Sequence, residues 1–323
     1  MSEELAFIDQ LRGLPLHPSA RGLNDDAAVL EIGGETLVIT HDMMAEGVHW
    51  LPGTDEADIA HKLVATNLSD LAAKGAEPIG ALLAFGLDDP LYNKRFAHWV
   101  GKALKKYDMP LLGGDTIAAG KRVVGMTAIG RATHTPVPAR SGASPGDNIW
   151  LCGHIGDAMI GHGVLKGAMA SVFMQDNTRV TLDPYFTAKF LRPEPLLAQG
   201  RALAPQVSAM MDVSDGLLLD AMRMAEASDV TLALSYETMP FSPQFLASLN
   251  GNQLDVKTDF RMTKEAAMRW GDDYALLFTA PPSVQPPVEA VRIGTVERAG
   301  KHRVTVDGNP PADDEPLGYQ HRR

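Results

Sequence analysis

Residues 37–42 read Leu37-Val38-Ile39-Thr40-His41-Asp42, a short apolar run typical of a β-strand, closed by polar side chains. Similar runs recur along the whole chain, and we predict a strand in each of them. They cover residues 27–31, 36–40, 79–87, 123–130, 148–152, 231–234, 274–279 and 291–296.

Helical patterns lie between these runs. One apolar stripe with helical spacing consists of Tyr92, Phe96, Trp99, Val100, Ala103, Leu104 and Tyr107, and we interpret it as core packing rather than as a cofactor site. A second stripe consists of Ala60, Val64, Leu68 and Leu71, and a third helix is predicted over 217–227. Strands and helices that alternate in this way predict an α/β or α+β fold.

The length of 323 residues favours two domains, because single hydrophobic cores stop growing at about 250–300 residues. Residues 133–147 are rich in turn formers and poor in periodic apolar positions, so we place the boundary there. The prediction is an N-terminal domain over 1–135 and a C-terminal domain over 136–323. The proline-rich segment 280–287 is interpreted as a loop within the second domain.

The composition excludes several classes of function. There are 29 basic and 40 acidic residues, and the net charge of −11 argues against nucleic acid as a partner. The single cysteine, Cys152, cannot form an internal disulfide, which fits a reducing compartment. The acidic start lacks the pattern of a secretion signal, and no apolar stretch approaches the roughly 20 residues of a membrane span. We therefore expect a soluble cytoplasmic protein with no membrane partner.

Aspartates recur where the predicted elements begin or end. They are Asp25 and Asp26 before the first run, Asp42 at the end of the second, Asp70 on a predicted helix, Asp115 after residues 109–112, and Asp212 and Asp215 before the third helix. Each one alone is explained as a turn or helix-cap residue. As a set they would repel one another if they converged, and Mg²⁺, which prefers oxygen ligands, would remove that repulsion.

The common nucleotide-binding motifs are missing from the sequence. None of the glycine-lysine pairs is followed by serine or threonine, so there is no P-loop, and no GxGxxG motif follows a predicted strand. A serine nucleophile elbow and a zinc-binding His-Glu-x-x-His helix are also missing. The aspartates therefore favour a phosphotransferase that binds ATP through metal-bridged phosphates.

Seven segments, taken in order, resemble one known family. They are Asn24-Asp25-Asp26-Ala27-Ala28-Val29-Leu30, residues 40–50 (THDMMAEGVHW), residues 67–76 (NLSDLAAKGA), Leu112-Gly113-Gly114-Asp115-Thr116, residues 140–147 (RSGASPGD), residues 212–217 (DVSDGL) and residues 271–278 (GDDYALLF). Their order and spacing resemble the thiamine-monophosphate kinases, a family of the superfamily that includes aminoimidazole ribonucleotide synthetase. The resemblance extends from about residue 24 to residue 319.

This resemblance implies ATP-dependent phosphorylation of thiamine phosphate to thiamine diphosphate, by direct transfer of the γ-phosphoryl group with several Mg²⁺ ions. It also implies a homodimer in which the N-terminal sheets of two subunits form a barrel. The C-terminal α/β domain would close one side of the active cleft. No general base is expected, because the acceptor phosphate oxygen is already ionised at neutral pH.

The resemblance also implies roles for individual residues. The positions that match the family's metal-binding pattern are Asp26, Thr40, Asp42, Asp70, Asp115, Asp212 and Asp215. Those that match its ATP contacts are Gly114, Asp115, Arg140 and Ser214. The substrate contacts implied are His49, Asp272 and Tyr319.

Four positions depart from the family pattern. Asn24 replaces a glycine, and His41 replaces a hydroxyl residue next to Asp42, where imidazole is a poorer Mg²⁺ ligand than oxygen. Asp272 replaces a glutamate expected to contact substrate. The C-terminal residues 318–322 (GYQHR) lack a clear match for the aromatic residue that packs against thiamine. The ATP and metal half of the site is therefore better supported than the thiamine half.

Two other interpretations remain open at this level. One is a different ATP-dependent enzyme of the same superfamily, such as a formylglycinamidine cyclo-ligase. Members that rely on a reactive cysteine near the N-terminus or on a C-terminal cysteine match less well, because Cys152 lies in a predicted strand. The other is a catalytically silent protein that holds nucleotide or thiamine phosphate, which the changes at His41 and Asp272 suggest.

Overall fold

The computed structural model describes residues 3–118, 120–168, 172–175, 178–250, 262–312 and 315–321. Within these ranges the chain forms two large β-sheets that pack against helices. This mixed α/β architecture confirms the fold class predicted from the alternating runs. Residues 133–147, the predicted domain boundary, contain no helix or strand, and the two sheets draw their strands from opposite sides of it.

The first sheet has five strands in the order β1-β2-β5-β3-β4, and only β3 and β4 run parallel. The strands are β1 (Ala28–Ile32), β2 (Glu35–Ala45), β3 (Ala76–Leu87), β4 (Leu111–Ala118) and β5 (Val123–Ala132). The helices of this half are α1 (Glu3–Arg12), α2 (Glu56–Ala73) and α3 (Pro90–Lys106).

The second sheet has six strands in the order β13-β10-β12-β6-β11-β9, with β10 and β13 as its parallel pair. Its strands are β6 (Asn148–Cys152), β9 (Ala209–Val213), β10 (Val230–Leu234), β11 (Ala275–Ala280), β12 (Val291–Arg298) and β13 (Val304–Val306), and β7 (Val172–Gln175) pairs with β8 (Thr178–Thr181) as a separate ribbon. The helices are α4 (Asp157–Leu165), α5 (Asp183–Leu191), α6 (Leu197–Leu203), α7 (Leu217–Ser228), α8 (Pro243–Asn250) and α9 (Lys264–Arg269).

Helix α2 lies between the two halves of the molecule. Asp55 caps its N-terminus by accepting a hydrogen bond from the Ala57 amide, and fifteen of its eighteen residues are buried. It packs against β2 and β5 of the first sheet and also against β9 of the second. A helix buried on all sides carries its polar side chains into the interior, so each of them needs a partner there.

The aromatic stripe lies on α3 and belongs to the core, as predicted. Tyr92, Phe96 and Val100 are buried, and the Phe96 ring stacks on Phe85 of β3 with 4.8 Å between centroids.

The other predicted strands and helices are also confirmed, but two aspartates lie at different places in the strands than the sequence predicts. Asp42 does not end its strand, because β2 continues to Ala45, and Asp115 lies inside β4 rather than after a strand.

The outer strand of the first sheet is exposed along its whole length. All eight residues of β4 are exposed in the single chain, and they include the large apolar side chains Leu111, Leu112 and Ile117. Leu82 on the adjacent strand β3 and Met43 on β2 of the same sheet are exposed as well. Among the described residues, no helix is both long and apolar enough to cross a membrane.

Candidate active site

A cavity of about 1270 Å³ opens between the two halves of the chain. The first half contributes residues of β2 and α2, among them Asp42 and Asp70, and the second contributes Asp212 of β9 and the turn that follows it. Residues of α1 and of the C-terminal segment also line it. Most of the predicted site residues therefore share one cavity, although they lie far apart in the sequence.

Three carboxylates converge at this cavity. Asp26 just before β1, Asp70 on α2 and Asp212 on β9 each offer an oxygen atom, and these atoms all lie within 4.8 Å of one another. The Thr40 hydroxyl donates a hydrogen bond to Asp70. The Ser69 hydroxyl donates to Asp212 Oδ2 over 2.6 Å. Neighbouring hydroxyl groups thus orient two of the three carboxylates.

The pKa values of these carboxylates differ because their partners differ. Burial raises the pKa of Asp212 to about 8, and the charge of Asp26 adds to this rise. Burial, together with Asp42 and Asp212, also raises the pKa of Asp70 well above its usual range. Burial opposes ionisation of Asp26 too, but Arg140 and Lys74 outweigh it and hold its pKa below the usual value. In the absence of a bound cation, the cluster therefore retains protons near neutral pH.

The donor set fits a hard divalent cation. All three donors are carboxylate oxygens, and Asp26 Oδ2 is buried without a hydrogen bond. This oxygen lies 2.6 Å from Lys74 Nζ but is not aligned for hydrogen bonding. Lys74 therefore already offsets the charge of Asp26, whereas a bound cation would offset the charges of Asp70 and Asp212, whose pKa values burial and the neighbouring aspartates raise.

Two further aspartates line the same cavity. Burial raises the pKa of Asp42, whose backbone amide donates to Asn67 Oδ1 over 3.2 Å. Asp215, in the turn between β9 and α7, forms an ion pair with Arg223 at 2.6 Å. His41 points instead to Thr127 on the neighbouring strand, with 2.8 Å between Nδ1 and Oγ1. The hydroxyl group that contacts the acidic cluster is that of Thr40. The change to histidine at position 41 therefore leaves this contact in place.

Buried cations hold the first pair of aspartates. The Lys74 ammonium group is fully buried, contacts both Asp25 and Asp26, and donates to the Met210 carbonyl over 3.2 Å. Asp25 is also paired with Arg21, so its two oxygens are both occupied by protein cations. Asp25 thus stabilises the fold through its ion pairs, whereas Asp26 belongs to the acidic cluster. Sequence reasoning missed Lys74, and no local pattern signals its burial, because its partner Asp25 lies 49 residues away.

Arg140 and Ser214, the predicted ATP contacts of the second half, lie close to this cluster. The Arg140 guanidinium forms an ion pair with Asp26 Oδ1 at 2.6 Å and keeps about a fifth of its surface exposed. Ser214 lines the cavity.

Gly114 and Asp115 do not line the cavity, because both lie on the exposed outer strand β4. A side chain at Gly114 would put its Cβ only 1.9 Å from the Leu83 carbonyl oxygen, so that position requires glycine.

The three predicted substrate contacts, His49, Asp272 and Tyr319, all line the cavity. Burial lowers the pKa of His49 to about 4, and its Nδ1 accepts a hydrogen bond from the Ala45 amide. The imidazole is therefore neutral at pH 7, with its proton on Nε2. Asp272 Oδ1 lies 3.0 Å from the buried Lys62 ammonium group, a partner that sequence reasoning did not identify.

The comparisons with known proteins agree with this architecture. Residues 24–132 match the family model "AIR synthase related protein, N-terminal domain". The chain is 35% identical to the thiamine-monophosphate kinase of Escherichia coli (strain K12) over 85% of this chain and 80% of that one. It is 36% identical to the enzyme of the same name from Caulobacter vibrioides, over 82% and 73% of the two chains. The solved structure of AaThiL complexed with AMPPCP and TMP superimposes with a TM-score of 0.82 at 26% identity, covering 98% of this chain and 96% of that one.

Replacing Lys74 tests the buried ion network. Lys74→Met leaves Asp25 and Asp26 without their shared cation, and breaking a buried ion pair costs about 3–5 kcal/mol. The Tm in the absence of divalent cations should fall by about 6 °C or more, measured by calorimetry. Lys105→Met, on the exposed face of α3, is the matched control and should leave the Tm unchanged. An equal Tm for both variants would show that the network does not stabilise the fold.

Proposed function

This chain belongs to the thiamine-monophosphate kinase family, and we propose that it transfers the γ-phosphoryl group of ATP to thiamine phosphate, giving thiamine diphosphate. We assign the reaction to this cavity because Asp26, Asp70 and Asp212 converge there from three distant segments of the chain. In a phosphotransferase without a P-loop, such a cluster offers a way to bind the polyphosphate through metal ions.

We assign Mg²⁺ ligation to Asp26, Asp70 and Asp212, with Asp42 and Asp215 available at the same cavity. These carboxylates would hold Mg²⁺, which would supply positive charge to offset that of the phosphate groups. Thr40 and Ser69 keep the carboxylates of Asp70 and Asp212 oriented through their hydroxyl groups. Arg140 contributes a planar set of donors suited to a phosphate group of ATP.

The reaction needs alignment of two phosphates more than it needs proton transfer. An oxygen of the thiamine phosphate group forms the new bond to the γ-phosphorus, the bond from that phosphorus to the β–γ bridging oxygen breaks, and ADP leaves. The attacking oxygen is ionised at neutral pH, so no residue has to act as a base. His49 is neutral and can donate a hydrogen bond from Nε2, and Asp272, held by Lys62, can accept a hydrogen bond from the substrate.

The first test is the reaction itself. The purified chain with ATP, Mg²⁺ and thiamine phosphate should form thiamine diphosphate and ADP, and Asp42→Asn or Asp115→Asn should abolish turnover without unfolding the protein. Glu226→Gln, on the exposed face of α7, is the control and should keep the full rate. Tight binding of thiamine phosphate without turnover would indicate a silent binding protein. A lack of binding would indicate another enzyme of the superfamily.

A second prediction concerns pH. Burial raises the pKa of Asp212 to about 8, so Mg²⁺ must displace a proton when it binds near pH 7. Mg²⁺ affinity should therefore increase as the pH rises from 6.5 to 8, by at most about tenfold per pH unit for one proton. Calorimetry in buffers of different ionisation enthalpy measures the released proton directly. Asp212→Asn should bind Mg²⁺ more weakly and release fewer protons, with Asp70 left to titrate, whereas affinity independent of pH in the unsubstituted chain would contradict the assignment.

We also propose that the functional form is a homodimer built through the first sheet. The exposed apolar residues of β4 and its neighbours form a surface that a second copy would cover. β4 is three strand spacings from β2, so Asp115 lies about 14 Å across the sheet from the strand of Asp42. In a dimer that joins these sheets into a barrel, Gly114 and Asp115 would serve the site of the partner subunit.

Mixed dimers test this shared site. If Asp115 acts across the interface, each dimer of an Asp42→Asn subunit with an Asp115→Asn subunit has one intact site. Random mixing of the two inactive variants should then restore about a quarter of the wild-type rate. Each variant incubated alone, under the same exchange conditions, serves as the control. A mixture that stays inactive although sedimentation shows exchanged dimers would place Asp115 in the site of its own chain.

A further inference from the structure

A row of three aromatic rings lines the same cavity. The rings belong to Phe190 on α5, His162 on α4 and Trp270 at the end of α9, and we call them the aromatic wall. The His162 ring centroid lies 5.1 Å from that of Phe190 and 5.1 Å from that of Trp270. Such spacing is that of rings in contact, and the His162 ring is tilted by 55° to that of Phe190 and by 45° to that of Trp270.

The three rings of the wall are uncharged at pH 7, although Lys62 and Lys166 lie near His162. Burial lowers the pKa of His162 to about 4, so its imidazole is neutral at pH 7. The Lys62 ammonium group lies 3.8 Å from the centre of the Phe190 ring, but it is paired with Asp272. Asp272 also follows Trp270 by two residues and lines the cavity with it. Because Asp272 and Lys62 neutralise each other, the attraction for a flat, positively charged ring comes from the aromatic faces themselves.

The backbone fixes Trp270 in relation to the acidic cluster. The Asp272 amide donates to the Ser214 carbonyl over 2.8 Å, so the segment after Trp270 is bound to the turn after β9. Gly271 packs so closely there that an added Cβ would lie 2.4 Å from the Ser214 oxygen. The wall and the turn that carries Asp215 are therefore held as one unit.

We propose that Trp270, with His162, binds the ring system of thiamine phosphate and determines the specificity for this acceptor. The inference rests on the proposed function and extends it to residues that the family motifs do not include. Both substrates carry a phosphate and an aromatic ring, but only thiamine phosphate carries a permanent positive charge on its thiazolium ring. Cations are attracted to aromatic faces, and indole is the most favourable of them. The neutral adenine ring of ATP lacks this attraction.

Steady-state kinetics separate the two substrates. Trp270→Ala should raise the KM for thiamine phosphate by about tenfold or more, while the KM for ATP stays unchanged. Trp270→Phe, which keeps an aromatic face, should recover most of this loss. Trp99→Phe, on α3, is the matched control and should change neither constant. A rise in the KM for ATP instead would assign the wall to adenine and overturn the proposal.

Binding without turnover provides a second readout. Trp270 is the one of the four tryptophans that lines the cavity, so thiamine phosphate should quench mainly its fluorescence, and Trp270→Phe should lose this quenching. An unchanged dissociation constant for Trp270→Ala, measured by calorimetry, would overturn the role of the wall and leave the kinase assignment intact. If the unsubstituted chain does not bind thiamine phosphate at all, the proposed function fails, and the role of the wall fails with it.

Discussion

Asp25 and Asp26 are adjacent in the sequence and buried together, and the ammonium group of Lys74 lies against both of them. Two neighbouring carboxylates at this depth would repel each other and lose their hydration, so they need a cation that the fold supplies itself. Lys74 ends α2, four residues after Asp70, and donates to Met210, two residues before Asp212. One buried charge therefore joins the three segments that carry the acidic cluster.

This arrangement explains why α2 is almost entirely buried although it carries polar side chains. Along its length Lys62 reaches Asp272, Ser69 reaches Asp212 and Asp70 accepts from Thr40, so each group has a partner in a different part of the fold. These contacts join the first sheet to β9 and to the loop after α9. The cavity walls are thus positioned by one rigid element, which favours the accurate alignment that direct transfer between two phosphates requires.

The sequence predicts the alternation of strands and helices, because hydrophobic periodicity is local. It does not predict that β2 continues beyond Thr40 through His41 and Asp42, since pairing with β5 as far as Ala45 provides the hydrogen bonds there. β4 was missed because Gly113 and Gly114 weaken its pattern, and the parallel ladder with β3 compensates for them. The role of Lys74 could not be predicted either. Its partner Asp25 lies 49 residues away, and a lysine at a helix end is usually solvated.

A few backbone contacts join the residues that would hold phosphate to the residues that would hold the acceptor ring. Ser214 and Asp215 lie in the turn after β9, and the amide of Asp272 binds the carbonyl of Ser214. A second contact of this kind joins the Tyr319 amide to the Asp215 carbonyl over 2.8 Å. Residues that would hold phosphate and residues that would hold the acceptor ring therefore share one backbone framework. Because small misplacements of reacting groups cost large factors in rate, such a framework restricts the acceptor to molecules whose ring-to-phosphate distance matches it.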